Sequence, residues 1–405
     1  MNLANRYILA INAGSSSIKF ALFQAGGALR QICDGAIDRI GPDAVLRVDS
    51  ANPAQSFSRP VAASDQNAAV GVLIDWIETR DEGKALAAVG HRVVHGGPDY
   101  NAPQSVTLAL VEEMRRLIPL DPHHMPQAIA LIEAFARRYP DLPQVVCFDT
   151  AFFHDLPRVA RLLPIPRRYD GRGVRRYGFH GLSYAFLMDE LARQAGTEAA
   201  QGRVILAHLG NGASLAAVHG VLPKDTSMAF TPAAGVPMGT RSGDLDPGLA
   251  AYFARTENMT PEQFDHMVNR ESGLLGVSEI SSDMRELLAR ETQDERAAEA
   301  VALFCYQIRK WIGAFSATIG GLDQLVFSGG VGENAPEVRA RICDGLGFLG
   351  VDLNAASNAE NAPLISSGIA RVAVRVIPTN EELTIARSVA RILERDQGIQ
   401  GDSTG

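Results

Sequence analysis

The stretch Asn12-Ala13-Gly14-Ser15-Ser16-Ser17-Ile18-Lys19 sets hydroxyls, backbone N–H groups and one point charge at the tip of two apolar runs, and such a turn could wrap a phosphate. A turn of similar make-up returns far downstream in His208-Leu209-Gly210-Asn211-Gly212-Ala213-Ser214, again between apolar runs. Either turn alone reads as an ordinary tight hairpin. Their recurrence points to an internal duplication, and two halves that each offer a phosphate-facing turn suggest a cleft with a nucleotide held in it. Arg92 lies inside the apolar run Ala87–Val94, where a charge is costly unless paired, so it is either half of a structural ion pair or a ligand for an anion. Arg241 is held in Gly239-Thr240-Arg241-Ser242-Gly243, where glycines suit a plain turn but also let the backbone come close to a ligand. Its place in a long loop favours function. His180, between Phe179 and Gly181, is either a satisfied structural histidine or an uncharged ring set to hydrogen-bond a transferred group. Asp149 closes an apolar run and is either a salt-bridge partner or a catalytic carboxylate. His91, His95, His123 and His124 are not spaced as a metal-binding set.

The elements that must position these residues follow from hydrophobic period and turn chemistry. Tyr7–Phe23 reads as a hairpin, and short alternating runs from Gly26 to Ala63 read as further strands of the same sheet. Helical spacing over 68–78 precedes the buried strand that carries Arg92, and an α/β alternation begins. Helices are expected over 107–118 and 126–137, then a strand over 144–150 that ends in Asp149, where parallel sheets place their sites. Ser183 is read as the N-cap of a helix over 184–195. A long helix over 295–319 stops at Gly320-Gly321. The strand Leu325–Ser328 then runs into the glycine loop Gly329–Asn334, whose free N–H groups would suit an anion or a ribose. A strand over 372–377 and a helix over 383–395 close the chain, with a frayed tail from Asp396.

At 405 residues the chain is long enough for two domains, and 46% hydrophobic with 21% charged residues places it among ordinary globular proteins. A net charge of −8 argues against a general nucleic-acid or membrane-surface binder, so an anionic substrate needs a local basic pocket. The four cysteines form no CxxC pair, no apolar stretch reaches spanning length, and no signal peptide is evident; a cytoplasmic protein is expected.

Assembled in order, several blocks closely resemble the acetate kinase family: Asn12 to Lys19, His91 to Gly97, Phe148 to Phe152, Arg175 to Gly181, His208 to Gly212, Asp225 to Met228, Met238 to Asp244, Gly329 to Asn334 and Pro378 to Leu383. The resemblance runs from about Ile8 to Arg387. It implies an α/β fold of two duplicated actin-like (ribonuclease H-like) domains with a nucleotide cleft between them. The first would span 1–150 and be completed by the C-terminal helix 381–395; the second would span 151–380 and carry the nucleotide loops and a homodimer surface. It implies reversible, Mg2+-dependent transfer of the ATP γ-phosphoryl to acetate, with Mn2+ as a substitute metal.

By the same resemblance Asn12 and Glu381 stand on the metal side, and Lys19 contacts ATP. The nucleotide-binding residues would be His208, Leu209, Gly210, Asn211 and Gly212, then Asp283, Met284 and Arg285, then Gly330, Val331, Gly332, Glu333 and Asn334. Arg92 resembles the family's substrate-binding arginine, Asp149 its acid/base residue, and His180 and Arg241 its transition-state stabilisers; Val94, His124, Phe179 and Pro232 match the acyl pocket. A carboxylate substrate is already ionised near neutral pH, so Asp149 is expected to orient rather than to accept a proton. The block Pro122-His123-His124-Met125-Pro126 departs from the family's Pro-Leu-His-Asn-Pro, and a polar wall there would bear on the acyl chain preferred. The alternatives are a propionate or other short-chain acyl kinase, and an actin-like or Hsp70-like ATPase without a metabolite substrate.

Overall fold

The structure, a computed structural model, describes residues 6–14 and 17–402. Ser15 and Ser16 of the first turn lie outside the described residues. The chain divides into two compact units, one holding the residues up to Ala151 and again from Asn380, the other Phe152–Thr379. Each is built on one mixed sheet. Among the described residues no helix is long and apolar enough to cross a membrane.

The strands of the first unit are β1 (Tyr7–Ala13), β2 (Ile18–Gln24), β3 (Arg30–Asp38), β4 (Val45–Ser50), β5 (Phe57–Pro60), β6 (Leu86–Val93), β7 (Gln104–Ser105) and β8 (Gln144–Phe148). Their order in the sheet is β5-β4-β3-β2-β1-β6-β8-β7. The second unit holds β9 (Arg203–Leu209), β10 (Ala213–His219), β11 (Leu222–Thr226), β12 (Gln324–Ser328) and β13 (Ala373–Val376), in the order β11-β10-β9-β12-β13. In the first, β1 pairs antiparallel with β2 and parallel with β6, which pairs parallel with β8. In the second, β9 pairs antiparallel with β10 and parallel with β12, which pairs parallel with β13. The two sheets therefore share one topology, and the duplication read from the two turns is a duplication of fold.

The parallel strands β6 and β8 are buried along nearly their whole length, as strands covered on both faces must be. The helix Gln66–Glu78 covers one face with Leu73, Trp76 and Ile77, and Phe20 from β2 meets Trp76 at 4.7 Å between ring centroids. The C-terminal helix Glu381–Asp402 packs on β6 from the opposite side. A Cβ on Gly90 would stand 2.4 Å from Ile385 and 2.7 Å from Val389, so β6 admits this helix only where it lacks a side chain. Residues 90 and 92 share a face of the strand. The helix that needs Gly90 bare consequently brings its first turn to Arg92. It begins at Glu381 and continues to Asp402, two residues earlier and seven later than the sequence pattern suggests.

Between them on the strand, His91 points to the other face, wholly buried, with its Nε2 2.7 Å from the Gln144 side-chain amide and its ring 5.8 Å from that of Phe135. Burial lowers its pKa to about 4, the Gln144 bond acting only weakly the other way. The folded protein thus keeps His91 neutral where the unfolded chain, with an ordinary histidine, takes up a proton below about pH 6.5. Stability from this residue is complete above that pH and is lost as the pH falls toward 4. Between pH 7 and pH 5, urea unfolding of the parent should therefore lose roughly 2 kcal/mol more than that of His91→Gln, which has no proton to bind there.

Candidate functional site

In the first unit the carboxyl ends of β1, β6 and β8 lie side by side, and each delivers one functional residue: Asn12, Arg92 and Asp149. Asp149 has none of its surface exposed. Its two oxygens take the Arg92 fork, Nε at 3.1 and 3.0 Å and Nη2 at 2.5 Å. The remaining edge of the guanidinium donates from Nη1 to Asn12 Oδ1 at 3.0 Å, and Asn12 Nδ2 donates to Glu381 Oε2 at 2.7 Å and to Glu382 Oε1 at 3.5 Å. Burial works to lower the Arg92 pKa, but Asp149 and Glu381 more than offset it and hold it above the ordinary arginine value. Glu382 is raised by burial and by the charge of Glu381, against a smaller opposing pull from Lys19, which sits opposite Asn12 in the β1–β2 pair.

Val94, directly after β6, is buried, and Gly96 N–H donates to Thr150 Oγ1, tying the loop that leaves β6 to the turn that starts at Asp149. His124 stands at the N-cap position of the helix Met125–Arg138 without capping it through its side chain; its Nδ1 lies instead 2.9 and 3.1 Å from the two oxygens of Asp121. Burial pushes the Asp121 carboxyl up, but the His124 bond and charge outweigh it and the net direction is down. Met125 is fully buried in an apolar cluster with Met114, Leu117 and Val146, so of the two departures in this block it belongs to the core. It continues the helix into the core.

In the second unit His180 has φ 60°, in the left-handed region, and stands just before the helix Gly181–Ala195. That helix starts three residues earlier than the sequence pattern suggests. Ser183 is accordingly not its cap but an internal residue, whose Oγ is 2.8 Å from His208 Nδ1 and 2.8 Å from Thr379 Oγ1. His180 Nδ1 is 2.9 Å from Ser214 Oγ, which is 2.5 Å from Tyr184 Oη, and the His180 and His208 rings stack at 4.4 Å. These contacts fix the orientation of both imidazoles through one ring nitrogen each.

Arg241 Nη1 donates to Pro232 O at 3.2 Å. The turn Gly210–Gly212, closed by Gly210 N–H to Gly212 O at 3.0 Å, passes close to both side chains. A Cβ at Gly212 would stand 3.3 Å from His180 Nε2 and 3.6 Å from Arg241 Nη1. The two groups thus converge on one point of bare backbone, a notch flanked by two nitrogen groups of the kind that bind phosphoryl oxygens. Phe179, buried, precedes His180.

The glycine loop after β12 is itself a short helix, Gly329–Asn334, and its chemistry turns inward. Glu333 Oε1 accepts from Gly329 N–H at 2.8 Å and from Thr379 N–H at 3.2 Å, and Asn334 Nδ2 donates to Gly330 O at 3.0 Å. Of the loop's backbone, Gly330 is exposed and Val331 partly so, whereas Gly332 is buried. Asp283 caps the helix Met284–Arg290 and pairs with Arg285, Nη2 to Oδ2 at 2.5 Å, while Met284 is buried. The Arg285 bond lowers the Asp283 pKa.

One residue of this site gave no sequence signal. Arg339 in the helix Pro336–Cys343 is fully buried and donates all five N–H groups to neutral acceptors: Asn358 Oδ1, Gly332 O, Glu333 O, Asn358 O and Asn361 Oδ1, at 2.6 to 3.0 Å. Burial lowers its pKa. It clamps the carbonyls at the end of Gly329–Asn334 from below. In sequence it is one more arginine on an amphipathic helix.

The pattern that defines the acetokinase family matches residues 7–387. An acetate kinase of Rhodopseudomonas palustris is 45% identical over 394 residues, covering 96% of this chain and 98% of that protein. A propionate kinase of Citrobacter rodentium is 44% identical over 391 residues, covering 95% and 96%. The crystal structure of Porphyromonas gingivalis acetate kinase superposes with a TM-score of 0.85 at 34% identity, covering 96% of this chain and all of that one.

The Arg339 clamp carries its own expectation. Arg339→Met leaves three buried carbonyls without their donor and should lower unfolding stability by roughly 3 kcal/mol or more. Arg339→Lys keeps the charge but not the fork and should recover little of it; urea unfolding of the two variants measures both.

Proposed function

The chain belongs to the acetokinase family, and from that premise we propose that it transfers the γ-phosphoryl of ATP reversibly to acetate, giving acetyl phosphate and ADP. The observation that carries this reading is the convergence of His180 Nε2 and Arg241 Nη1 on the bare backbone of Gly212. Phosphoryl transfer passes through a state with charge spread over three equatorial oxygens, and fixed donors aimed at one point stabilise it without reorganising. Ser214 holds the His180 ring and Pro232 holds the Arg241 guanidinium. The backbone of His208–Gly212 and of Gly330–Gly332 takes the nucleotide.

Arg92 binds the acid carboxylate, and Asp149 acts through Arg92. Both Asp149 oxygens are engaged by the guanidinium, which supports an orienting role over proton transfer, and an ionised acid needs no base. The reading requires residues of both units to serve one transfer. Among the described residues no group of three or more acidic, histidine or cysteine side chains stands ready for a metal ion, but Asn12 and Glu381 set oxygen atoms side by side, the ligand type a hard dication takes together with phosphate oxygens. Glu381 and Asn12 would hold Mg2+, or Mn2+ in its place. The ion would supply charge neutralisation on the transferred phosphates. A homodimer through the second unit fits the exposed Tyr252, Leu303 and Tyr306 there, and a cytoplasmic setting fits four buried free cysteines.

Propionate is the second reading, favoured by the propionate kinase relative at 44% identity. One methylene in an apolar pocket is worth only ~1–3 kcal/mol, so relatives of both specificities are expected on one scaffold.

Hydroxylamine trapping of acyl phosphate with Mg-ATP and acetate, propionate, butyrate or no acid tests the reading. Acetate-dependent hydroxamate is expected, with Arg241→Ala slower by about 10²–10³-fold, the usual loss for one transition-state donor. ATP hydrolysis without trapped product would indicate an ATPase lacking a metabolite substrate. Asp149→Asn should lower kcat/KM for acetate evenly across pH and resist rescue by added small bases. Rescue confined to pH above 7 would instead make Asp149 a proton acceptor.

A further inference from the structure

Arg241 sits on a loop, yet the backbone around it is pinned as if it were a strand. The chain that pins it runs from the π-helical turn Met267–Glu271 through Ser272 and Gly273 into the helix Gly273–Ser278. Extended geometry at Ser272 (φ −104°, ψ −157°) stops the π turn and leaves its last carbonyls without helical donors. Two of these are taken by the arginine loop: Val268 O accepts from Ser242 N–H at 2.9 Å and Asn269 O from Thr240 Oγ1 at 3.0 Å. In return Ser272 N–H donates to Thr240 O at 3.0 Å, Leu274 N–H to Met238 O at 2.8 Å and Leu275 N–H to Gly239 O at 3.0 Å. Met238 N–H closes the loop on Arg241 O at 2.9 Å, and Gly239 N–H ties it to Asn211 O at 3.0 Å in the turn that forms the notch.

Gly273 is the point of closest approach. Its φ is 62°, and a Cβ there would lie 2.2 Å from Met238 O and 2.6 Å from Arg241 O, both backbone atoms with no flexible end to give way. Any side chain at 273 must move the backbone that carries Arg241. π-Helical turns are uncommon and recur at functional sites because they re-aim carbonyls in this manner.

We propose that Met267–Leu275 is a positioning strap for the phosphoryl-binding arginine, acting through Gly273 and the Thr240 hydroxyl. The proposal rests on the phosphotransfer reading. Neither Gly273 nor Thr240 need touch substrate; they hold the guanidinium at the notch before the phosphoryl arrives. A shift of about 1 Å in a positioned group can cost 10²-fold in rate, so the strap should appear in kcat and not in the affinity for nucleotide.

The test is acetyl-hydroxamate kinetics on Gly273→Ala, Thr240→Val, Thr240→Ser, Arg241→Ala and the double variant Gly273→Ala/Arg241→Ala, with Gly313→Ala as control because nothing lies within 4 Å of its added Cβ. Gly273→Ala should lower kcat by about 30-fold or more with the KM for ATP within about threefold. Thr240→Val should lose about tenfold while Thr240→Ser stays near the parent. The double variant should be no slower than Arg241→Ala alone, since a strap that works only through Arg241 has nothing left to position. Losses that multiply in the double variant would overturn the proposal, as would Thr240→Ser falling with Thr240→Val. Full activity in Gly273→Ala beside an inactive Arg241→Ala would sink the strap and leave the phosphotransfer reading intact. An active Arg241→Ala would remove both. If Gly273→Ala does not fold, the Thr240 pair decides alone: equal rates for Val and Ser count against the strap.

Discussion

A carboxylate with none of its surface in water is tolerable only if its charge is answered, and Asp149 is answered by Arg92. Much of the first unit follows from that pair. The arginine must rise from a buried parallel strand, so β6 has to lie between β1 and β8 with its carboxyl end beside theirs. The guanidinium has one edge left after the carboxylate is satisfied, and Asn12 takes it and passes the connection on to Glu381. Glu381 is available only because the chain returns from the second unit to lay its last helix across the bare backbone at Gly90. A charge, a missing side chain and a distant helix form one arrangement.

The second unit reaches a comparable end by different means. Hydrogen bonds to neutral oxygens help to hold its candidate residues. Ser214 orients His180, Pro232 O takes Arg241, and five carbonyl or amide oxygens take Arg339. A cation held by neutral dipoles keeps its charge available for an incoming anion, whereas a paired one has already given much of it away. The same strand order thus carries an arginine on a buried carboxylate in one unit and an arginine donating to a backbone carbonyl in the other.

Several residues show how far local pattern could be followed. Strand and helix periods located the central strands of both sheets and the longer helices, and the glycine-rich turns marked the duplicated hairpins, because alternation and turn chemistry are local properties; the short helices between 248 and 290 passed unread. Ser183 was misplaced as a cap since its true helix starts at Gly181, after a left-handed His180 that no propensity anticipates. Met125 stands in a block that the resemblance places at the acyl pocket, while its side chain belongs to the core. The carboxylate of Glu333 accepts from the start of its own loop, a contact no local pattern announces.

What the sequence determined by itself is the fold class, the repeated hairpin and the identity of the charged residues with reason to be expensive: an arginine in an apolar strand and a carboxylate at a strand end. Each follows from residue type and near neighbours, since period and burial cost are felt within a few positions. Which alternative each charge takes is settled by contacts between segments far apart in the chain. Arg92 proves paired because Asp149 arrives from another strand, and Glu381 joins it because a helix from the far end of the chain packs at Gly90. Arg339 is functional support rather than surface because Asn358 and the end of Gly329–Asn334 close over it. Gly273 matters because it faces the backbone of Arg241, thirty-two positions earlier in the chain, and no local pattern records a contact between two loops.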